Sequence, residues 1–214
     1  RVRSATVVVA LGTHAPLGPE RRRALVGEGI GDWTVVDHEW WDDATYATLG
    51  RIGADRVADL SGGRLHHGID VRVNRAVVDH DVPLIVGPVL PHEVVGFSGG
   101  NKYLFPGVSG PEMIDLSHWL GALISSAAII GTTGITPVRA LIDEAAAMVP
   151  STRVAVCVVT TPSGDDLHAV EVGPPQDAWA RAASVAAQTH VRHLVRPVAR
   201  VLSLVPPRYE DLWT

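Results

Sequence analysis

Lysine and cysteine each occur only once among the 214 residues, and long apolar runs are missing altogether. The single cysteine, Cys157, excludes an internal disulfide framework, and its place in an apolar run predicts a small buried side chain. No run approaches the roughly 18 apolar residues that a membrane helix requires. The sequence also has no signal peptide, so a cytoplasmic location is the default expectation.

An excess of positive charge is missing as well, since the formal net charge is -5. A chain of this charge is not expected to bind nucleic acid, and the short arginine run at 21–23 is typical of a solvated helix face. Hydrophobic residues make up 46% and charged residues 19%, which indicates a globular protein rather than a disordered one. The length allows one large domain, or one domain with part of a second.

The cationic residues are almost all arginine: of the 18, 17 are Arg and the other is Lys102. One interpretation is chance. The other is that this position needs a primary amine, which can become a nucleophile or carry a covalent adduct, whereas a guanidinium cannot. Composition alone leaves the two interpretations balanced.

Alternating and apolar β-branched runs predict strands, and Pro or Thr before apolar-periodic segments predicts helices. The predicted strands are 5–11, 34–37, 70–78, 82–89, 153–161, 167–172 and 198–205, and the predicted helices are 19–26, 111–123, 136–148 and 175–191. Residues 45–50 are too few to assign, and the glycine-rich segment 96–110 is predicted to be a loop. The pattern predicts an α/β protein: a mostly parallel sheet flanked by helices, followed by part of a second α/β domain. We place the boundary within 131–136, giving a catalytic, cofactor-binding domain at 1–134 and a partial domain at 135–214.

Two histidines directly follow predicted buried strands. His14 ends a Gly-Thr-His loop, and His92 follows Pro91. Ligands of open α/β sheets bind outside the carboxyl ends of the strands, and imidazole titrates near neutral pH, so both histidines are candidates for acid/base catalysis. The alternative is that each is a turn histidine that bonds the local backbone.

The loop 96–107 reads GFSGGNKYLFPG. Consecutive glycines let backbone N–H groups converge on an anion, so Ser98, Gly99 and Gly100 are candidates for contacts to a nucleotide phosphate, with Lys102 adding charge. It is not a P-loop, because G-x-x-x-x-G-K-[ST] is absent. The alternative is an ordinary glycine-rich turn with an exposed lysine.

His118 lies in a predicted helix and could bind nickel, zinc or copper through a neutral imidazole. No H-x-x-x-H or C-x-x-C pair accompanies it. A site at His118 therefore makes sense only if a cofactor supplies the other metal ligands.

The stretch from Pro91 to Gly121, PHEVVGFSGGNKYLFPGVSGPEMIDLSHWLG, together with the upstream Gly-Thr-His, resembles the lactate racemase family, whose enzymes use a nickel-pincer nucleotide. The spacing of His92, Lys102 and His118 matches the family's pattern of His, Lys and His. The later segments TPVRALIDEAAAMV and YEDLWT also resemble the family, from the start of its second domain. The resemblance is weakest in 27–81.

This resemblance implies roles for individual residues. Lys102 matches the lysine that holds the cofactor, a pyridinium-3-thioamide-5-thiocarboxylic acid mononucleotide, and His118 matches the protein ligand to its nickel. His14 and His92 match the acid/base histidines. In the family's cycle, one histidine takes the hydroxyl proton of a 2-hydroxy acid, the α-hydride moves to the cofactor, and the hydride returns to either face. Cofactor-biosynthesis proteins are then the implied partners, and the activity is that of an isomerase.

The sequence also departs from the family. The upstream segment of the D-x-T-R-P type, with its Asp and Arg, has no counterpart, and much of the second domain is missing, so the resemblance is to a fragment lacking both ends. Two other functions stay open. One is a Schiff-base lyase that uses Lys102, and the other is a non-catalytic nucleotide-binding module.

Overall fold

Helices pack against several small sheets in the computed structural model, which describes residues 2–196, 198–200, 202 and 204. The strands are β1 Thr6–Val9, β2 Thr34–Asp37, β3 Tyr46–Ile52, β4 Ile69–Asn74, β5 Leu84–Pro88, β6 Pro91–His92, β7 Gly96–Phe97, β8 Val154–Thr160 and β9 Leu167–Gly173. The helices are α1 Gly18–Val26, α2 Ala54–Ser61, α3 Ala76–Asp79, α4 Pro111–Ile124, α5 Ser126–Ile129, α6 Pro137–Ala147 and α7 Pro175–His190. Short 3-10 turns lie at 28–30, 43–45 and 100–103.

The sheets are both parallel and mixed. Strands β1 and β2 are parallel, with α1 as the crossover, and β5 is parallel to β8, which pairs antiparallel with β9. The pairs β3–β4 and β6–β7 are antiparallel. The predicted α/β class is therefore confirmed.

Helix boundaries follow the local signals that predicted them. The Thr136 hydroxyl accepts a hydrogen bond from the Arg139 N–H at 3.1 Å, as expected of an N-cap residue. Helix α1 ends at Gly27, whose φ of 72° suits glycine. Along α7, Ala178 and Ala182 are fully buried on one face.

Several elements were not predicted from the sequence: β3, α2, α3, α5 and the two-residue strands β6 and β7. The strand predicted at 70–78 ends at Asn74, and α3 occupies its last residues. Strand β3 contains Gly50 and has a register shift between Thr48 and Gly50, so it lacks a clean alternation. Helix α2 begins at Ala54, and its N-cap residue, Gly53, offers no capping side chain. The segment predicted as a strand at 198–205 lies partly outside the described residues, and its described members belong to no strand.

One continuous core joins the two halves of the chain. It includes Phe97 and Phe105 from the glycine-rich segment, Leu141 from α6 and Trp179 from α7. The β5–β8 pairing also crosses the predicted boundary at 134/135, and the division into two domains stays a prediction. Among the described residues, no helix has the length and apolar character to cross a bilayer. The cytoplasmic location likewise stays a prediction.

Candidate active site

The Gly-Thr-His loop after β1 lies against the two segments that carry the other candidate residues. The Gly12 N–H donates to the Gly107 carbonyl at 2.8 Å, and a Cβ placed on Gly12 would lie 3.6 Å from Ile114 Cδ1 on α4. His14 itself is exposed, and its carbonyl accepts a hydrogen bond from the Trp40 indole at 3.2 Å. The loop that carries His14 thus contacts both the end of the glycine-rich loop and the helix that carries His118.

The structure brings His92, Lys102 and His118 into one electrostatic neighbourhood. Burial, with smaller contributions from the charges of Lys102, His118 and Arg139, lowers the pKa of His92 to about 3. The His92 ring is therefore neutral at physiological pH. Its Nδ1 lies 3.5 Å from a Glu93 carboxylate oxygen, but a neutral ring forms no ion pair there.

The backbone fixes the tautomer of the neutral His92 ring. The Val94 N–H donates to Nδ1 at 3.1 Å, so Nδ1 carries the lone pair and Nε2 carries the proton. In this arrangement His92 faces its surroundings as a hydrogen-bond donor through Nε2.

In its neutral form, the His118 ring would have the opposite tautomer. Because a carbonyl oxygen can only accept, the 2.8 Å contact between Nδ1 and the Ile114 carbonyl requires Nδ1–H to donate. This leaves the lone pair on Nε2 available. Histidines that bind metals usually donate their other ring N–H to a backbone carbonyl in this way. No cluster of three or more His, Cys, Asp and Glu suited to a metal ion occurs in the described part of the chain.

Lys102 lies in the 3-10 turn 100–103, where its N–H donates to the Gly99 carbonyl at 3.3 Å. Burial lowers the pKa of its amine, the charge of Arg139 lowers it further, and Glu93 opposes the change. The neutral, nucleophilic form of the amine is thus easier to reach than that of a free lysine.

The glycine-rich loop is held largely by its own chain. The Ser98 N–H donates to the Leu90 carbonyl at 2.8 Å, while the Ser98 hydroxyl accepts from the Leu90 N–H and donates to the Pro88 carbonyl. The Gly100 N–H is directed at the thiol of Cys157. Phosphate binding by Ser98, Gly99 and Gly100 stays a prediction.

Packing explains why two of these positions are glycine. A Cβ on Gly99 would lie 2.5 Å from Val89 Cγ2, and one on Gly100 would lie 2.9 Å from Trp179 Cβ. Both also have positive φ, 85° and 58° respectively. Close approach to neighbouring side chains therefore requires glycine here, whether or not an anion binds.

Sequence reasoning missed a group of residues beneath the loop. Arg139 is 1% exposed and donates to the carbonyls of Phe97 and Gly99. Asn101 donates to the Asp143 carboxylate at 2.8 Å. Only one signal in the sequence pointed to them: Arg139 and Asp143 are charged residues four positions apart in a helix with an otherwise apolar buried face.

His38 was also missed, although it directly follows β2. It is fully buried, its Nε2 donates to the Ser109 carbonyl at 3.1 Å, and its Nδ1 accepts from the Asn74 amide at 3.2 Å. With both ring nitrogens engaged and burial lowering its pKa, His38 is a neutral packing residue that ties β2 to β4 and the end of the glycine-rich segment.

Two clefts, of about 410 and 440 Å³, are lined by other residues than the candidate histidines. The first is between the β3–β4 pair and α4, near Trp119, and the second is beside α1, near Trp33. Neither is lined by His14, His92 or Lys102. The candidate site is therefore described by its hydrogen bonds and charges.

Comparison with known families gives a match over most of this region. The model of the lactate racemase N-terminal domain matches residues 2–131. Lactate racemase from Lactiplantibacillus plantarum is 28% identical over 113 residues, and that from Thermoanaerobacterium thermosaccharolyticum is 26% identical over 113. Each alignment covers 52% of this chain and 24% of the relative.

Two solved structures share the fold. A Thermotoga maritima protein, determined by a structural genomics consortium, aligns with a TM-score of 0.88 and 25% identity over 100% of this chain and 53% of its own. The lactate racemase apoprotein from Thermoanaerobacterium thermosaccharolyticum aligns with a TM-score of 0.69 and 19% identity over 84% of this chain and 40% of its own. This chain therefore spans about half of these relatives or less.

Proposed function

The chain belongs to the lactate racemase N-terminal domain family, and from that membership we propose that it is the cofactor-holding part of a racemase or epimerase of a 2-hydroxy acid. One observation carries the proposal: the charges of Lys102 and His118 both act on His92, so the three candidate residues lie near one another. The loop of His14 adjoins it.

The residues of the site fit a nickel-pincer nucleotide. Lys102 offers the chain's one side-chain amine, with a lowered pKa, as the point of covalent attachment. His118 offers an Nε2 lone pair on an exposed ring whose other nitrogen is already engaged, which suits a metal ligand. When bound, the nucleotide would supply the acceptor for the substrate's α-hydrogen.

His14 and His92 would exchange the hydroxyl proton of the substrate, one for each enantiomer. In the arrangement described, His92 presents a protonated Nε2, and so begins as a hydrogen-bond donor. To accept a proton at Nε2, its ring must first release the Val94 N–H. Ser98, Gly99 and Gly100 would contact the phosphate only after Ser98 and Gly100 exchange their internal partners.

A Schiff-base lyase is the second candidate, and one observation favours it: a buried amine with a lowered pKa is also what carbonyl condensation requires. Borohydride would then trap a carbonyl substrate on Lys102. The nickel-nucleotide proposal instead predicts a mass increase on Lys102 before any substrate is added.

The decisive test is to co-express the full-length protein with the cofactor-making enzymes, then measure intact mass and nickel content. Lys102→Arg should abolish the adduct and leave the fold intact, because arginine keeps the charge and lacks the nucleophilic amine. His118→Ala should lower nickel retention while the organic adduct persists. His168→Ala, at an exposed histidine of β9, is the matched control and should change neither.

Active protein with an unmodified Lys102 would contradict the proposal. Reversible nucleotide binding without nickel, unaffected by His14→Ala or His92→Ala, would point instead to a non-catalytic binding module. A panel of enantiopure 2-hydroxy acids, followed for racemisation, would then identify the substrate.

A further inference from the structure

Three consecutive carbonyls of the glycine-rich loop are held by two side chains that lie far along the sequence. Arg139 Nη1 donates to the Gly99 carbonyl at 3.1 Å, and its Nη2 donates to the Phe97 carbonyl. The carbonyl between them, that of Ser98, accepts the Trp179 indole N–H at 3.0 Å. Side chains of α6 and α7 therefore hold the loop's backbone together by hydrogen bonds.

The side chains of Arg139 and Trp179 also contact each other. The Arg139 guanidinium carbon lies 4.1 Å from the centroid of the Trp179 ring, in a cation–π stack. Both side chains are almost fully buried, at 1% and 2% exposed. Burial lowers the pKa of Arg139 to about 10, so its guanidinium stays charged at neutral pH. A guanidinium buried this deeply lowers the stability of the fold unless its hydrogen bonds and ring contact offset the lost hydration.

The contact between Arg139 and the loop also involves the backbone of Lys102. The Gly99 carbonyl that accepts Arg139 also accepts the Lys102 N–H, at 3.3 Å, and so closes the turn 100–103. The next residue back, Asn101, is tied to Asp143, one helical turn after Arg139 on the same helix. Helix α6 therefore holds two residues that closely precede Lys102, Gly99 through Arg139 and Asn101 through Asp143.

We propose that Arg139 is a positioning residue for Lys102: by holding the Phe97 and Gly99 carbonyls, it fixes the turn that presents the amine. The purpose of this positioning rests on the proposed function, in which the amine carries the cofactor. The positioning itself is a property of the chain without any cofactor. The charged or titratable groups facing the amine are Arg139 from α6, with Glu93 and His92 from the β6–β7 segment.

A single lysine makes the test specific to one site. The full chain, without nickel or nucleotide, is labelled with trinitrobenzenesulfonate over a range of pH, and peptide masses separate Lys102 from the N-terminal amine. The midpoint of the rate profile reports the protonation of Lys102, and the plateau at high pH reports its accessibility. Loss of the Arg139 charge alone would move the midpoint, because that charge lowers the pKa of Lys102, but would leave the plateau unchanged. A raised plateau is therefore the result that positioning predicts.

Arg139→Met, which fills the space without charge or donors, should move the midpoint to higher pH and raise the plateau rate. Arg153→Met is the matched control. Arg153 is also partly buried, donates to a backbone carbonyl, that of Val149 at 2.8 Å, and has a buried Nε without a partner among the described residues, as Arg139 does. Its midpoint and plateau should equal those of the wild type.

A folded Arg139→Met protein with the wild-type plateau rate would overturn the proposal, as would an equal rise of the plateau in Arg153→Met. If Arg139→Met does not fold, Arg139→Lys decides, and fragmentation of the labelled peptide separates Lys102 from the amine introduced at position 139. Lysine keeps the positive charge but cannot donate to both the Phe97 and the Gly99 carbonyl in the same way. The plateau rate of labelling at Lys102 must therefore rise, and an unchanged plateau would refute the positioning role of Arg139. In co-expression, Arg139→Met should lower the fraction of Lys102 that carries the adduct several-fold. Failure of any adduct to form in the wild type would count against the proposed function and leave the labelling result standing.

Discussion

The neutral ring of His92 predicts a specific loss of stability in acid. Burial lowers its pKa from 6.5 to about 3, whereas the unfolded chain keeps the ordinary value. Between these two pH values the unfolded state binds the proton and the folded state does not, so stability falls as the pH drops. The contribution is complete above about pH 6.5 and is lost progressively towards about pH 3.

The size of this effect follows from the shift. Each unit is worth about 1.4 kcal/mol, so the whole loss approaches about 5 kcal/mol at pH 3. By about pH 5 the loss is about 2 kcal/mol, because the unfolded imidazole is then mostly protonated while the folded one is not. The side chain is 19% exposed, so solvent screening reduces these figures only modestly.

Urea denaturation of wild type and His92→Asn, at about pH 7.5 and about pH 5, measures the effect by linear extrapolation. Asparagine does not titrate, and its Oδ1 can still accept the Val94 N–H. The wild type should lose about 2 kcal/mol more than His92→Asn between the two pH values. His168→Asn, at an exposed position, should follow the wild type to within about 0.5 kcal/mol. Equal acid losses in wild type and His92→Asn would refute a buried neutral ring.

Three further predictions concern packing around the site. Gly87→Ala should cost about 1–3 kcal/mol in urea denaturation, because its Cβ would lie 2.5 Å from the Tyr103 ring, whereas Gly134→Ala, with nothing within 4 Å, should change stability by less than about 0.5 kcal/mol. Thr136→Ala should cost about 1 kcal/mol by the same assay, because it removes the N-cap of α6; an unchanged midpoint would contradict that role. Cys157 is 1% exposed and burial raises its pKa, so a disulfide thiol reagent should react with it only after denaturation, and rapid labelling of the native protein would show that it is accessible.

Local chemistry allowed much of the fold to be predicted from the sequence. The Thr136-Pro137 start of α6, the glycine that ends α1 and the β8–β9 hairpin all depend on residues close in sequence, and each formed as expected. Strand β3 and helix α2 were not predictable, since the first is interrupted at Gly50 and the second lacks a capping side chain. Their positions depend on pairing and packing with distant residues.

The candidate site likewise contains residues that could be predicted from the sequence and features that could not. Spacing and family resemblance indicated His92, Lys102 and His118, and the roles assigned to them stay predictions. The tautomers of His92 and His118 depend on contacts of the rings with backbone groups and could not be deduced from residue types. Arg139 was missed because its partners, Phe97 and Gly99, lie 42 and 40 positions away. No local pattern encodes such a contact.

The contacts of Arg139 and Trp179 with the loop limit how far the protein can be truncated from its C-terminal side. Similarity to the family model ends at residue 131, whereas Arg139 and Trp179 lie beyond it. A gene truncated there would still encode the lysine and all three histidines of the site, but not the two residues that hold the loop's carbonyls. The segment that the family model matches is therefore shorter than the segment that, on our proposal, must fold together to display a reactive amine.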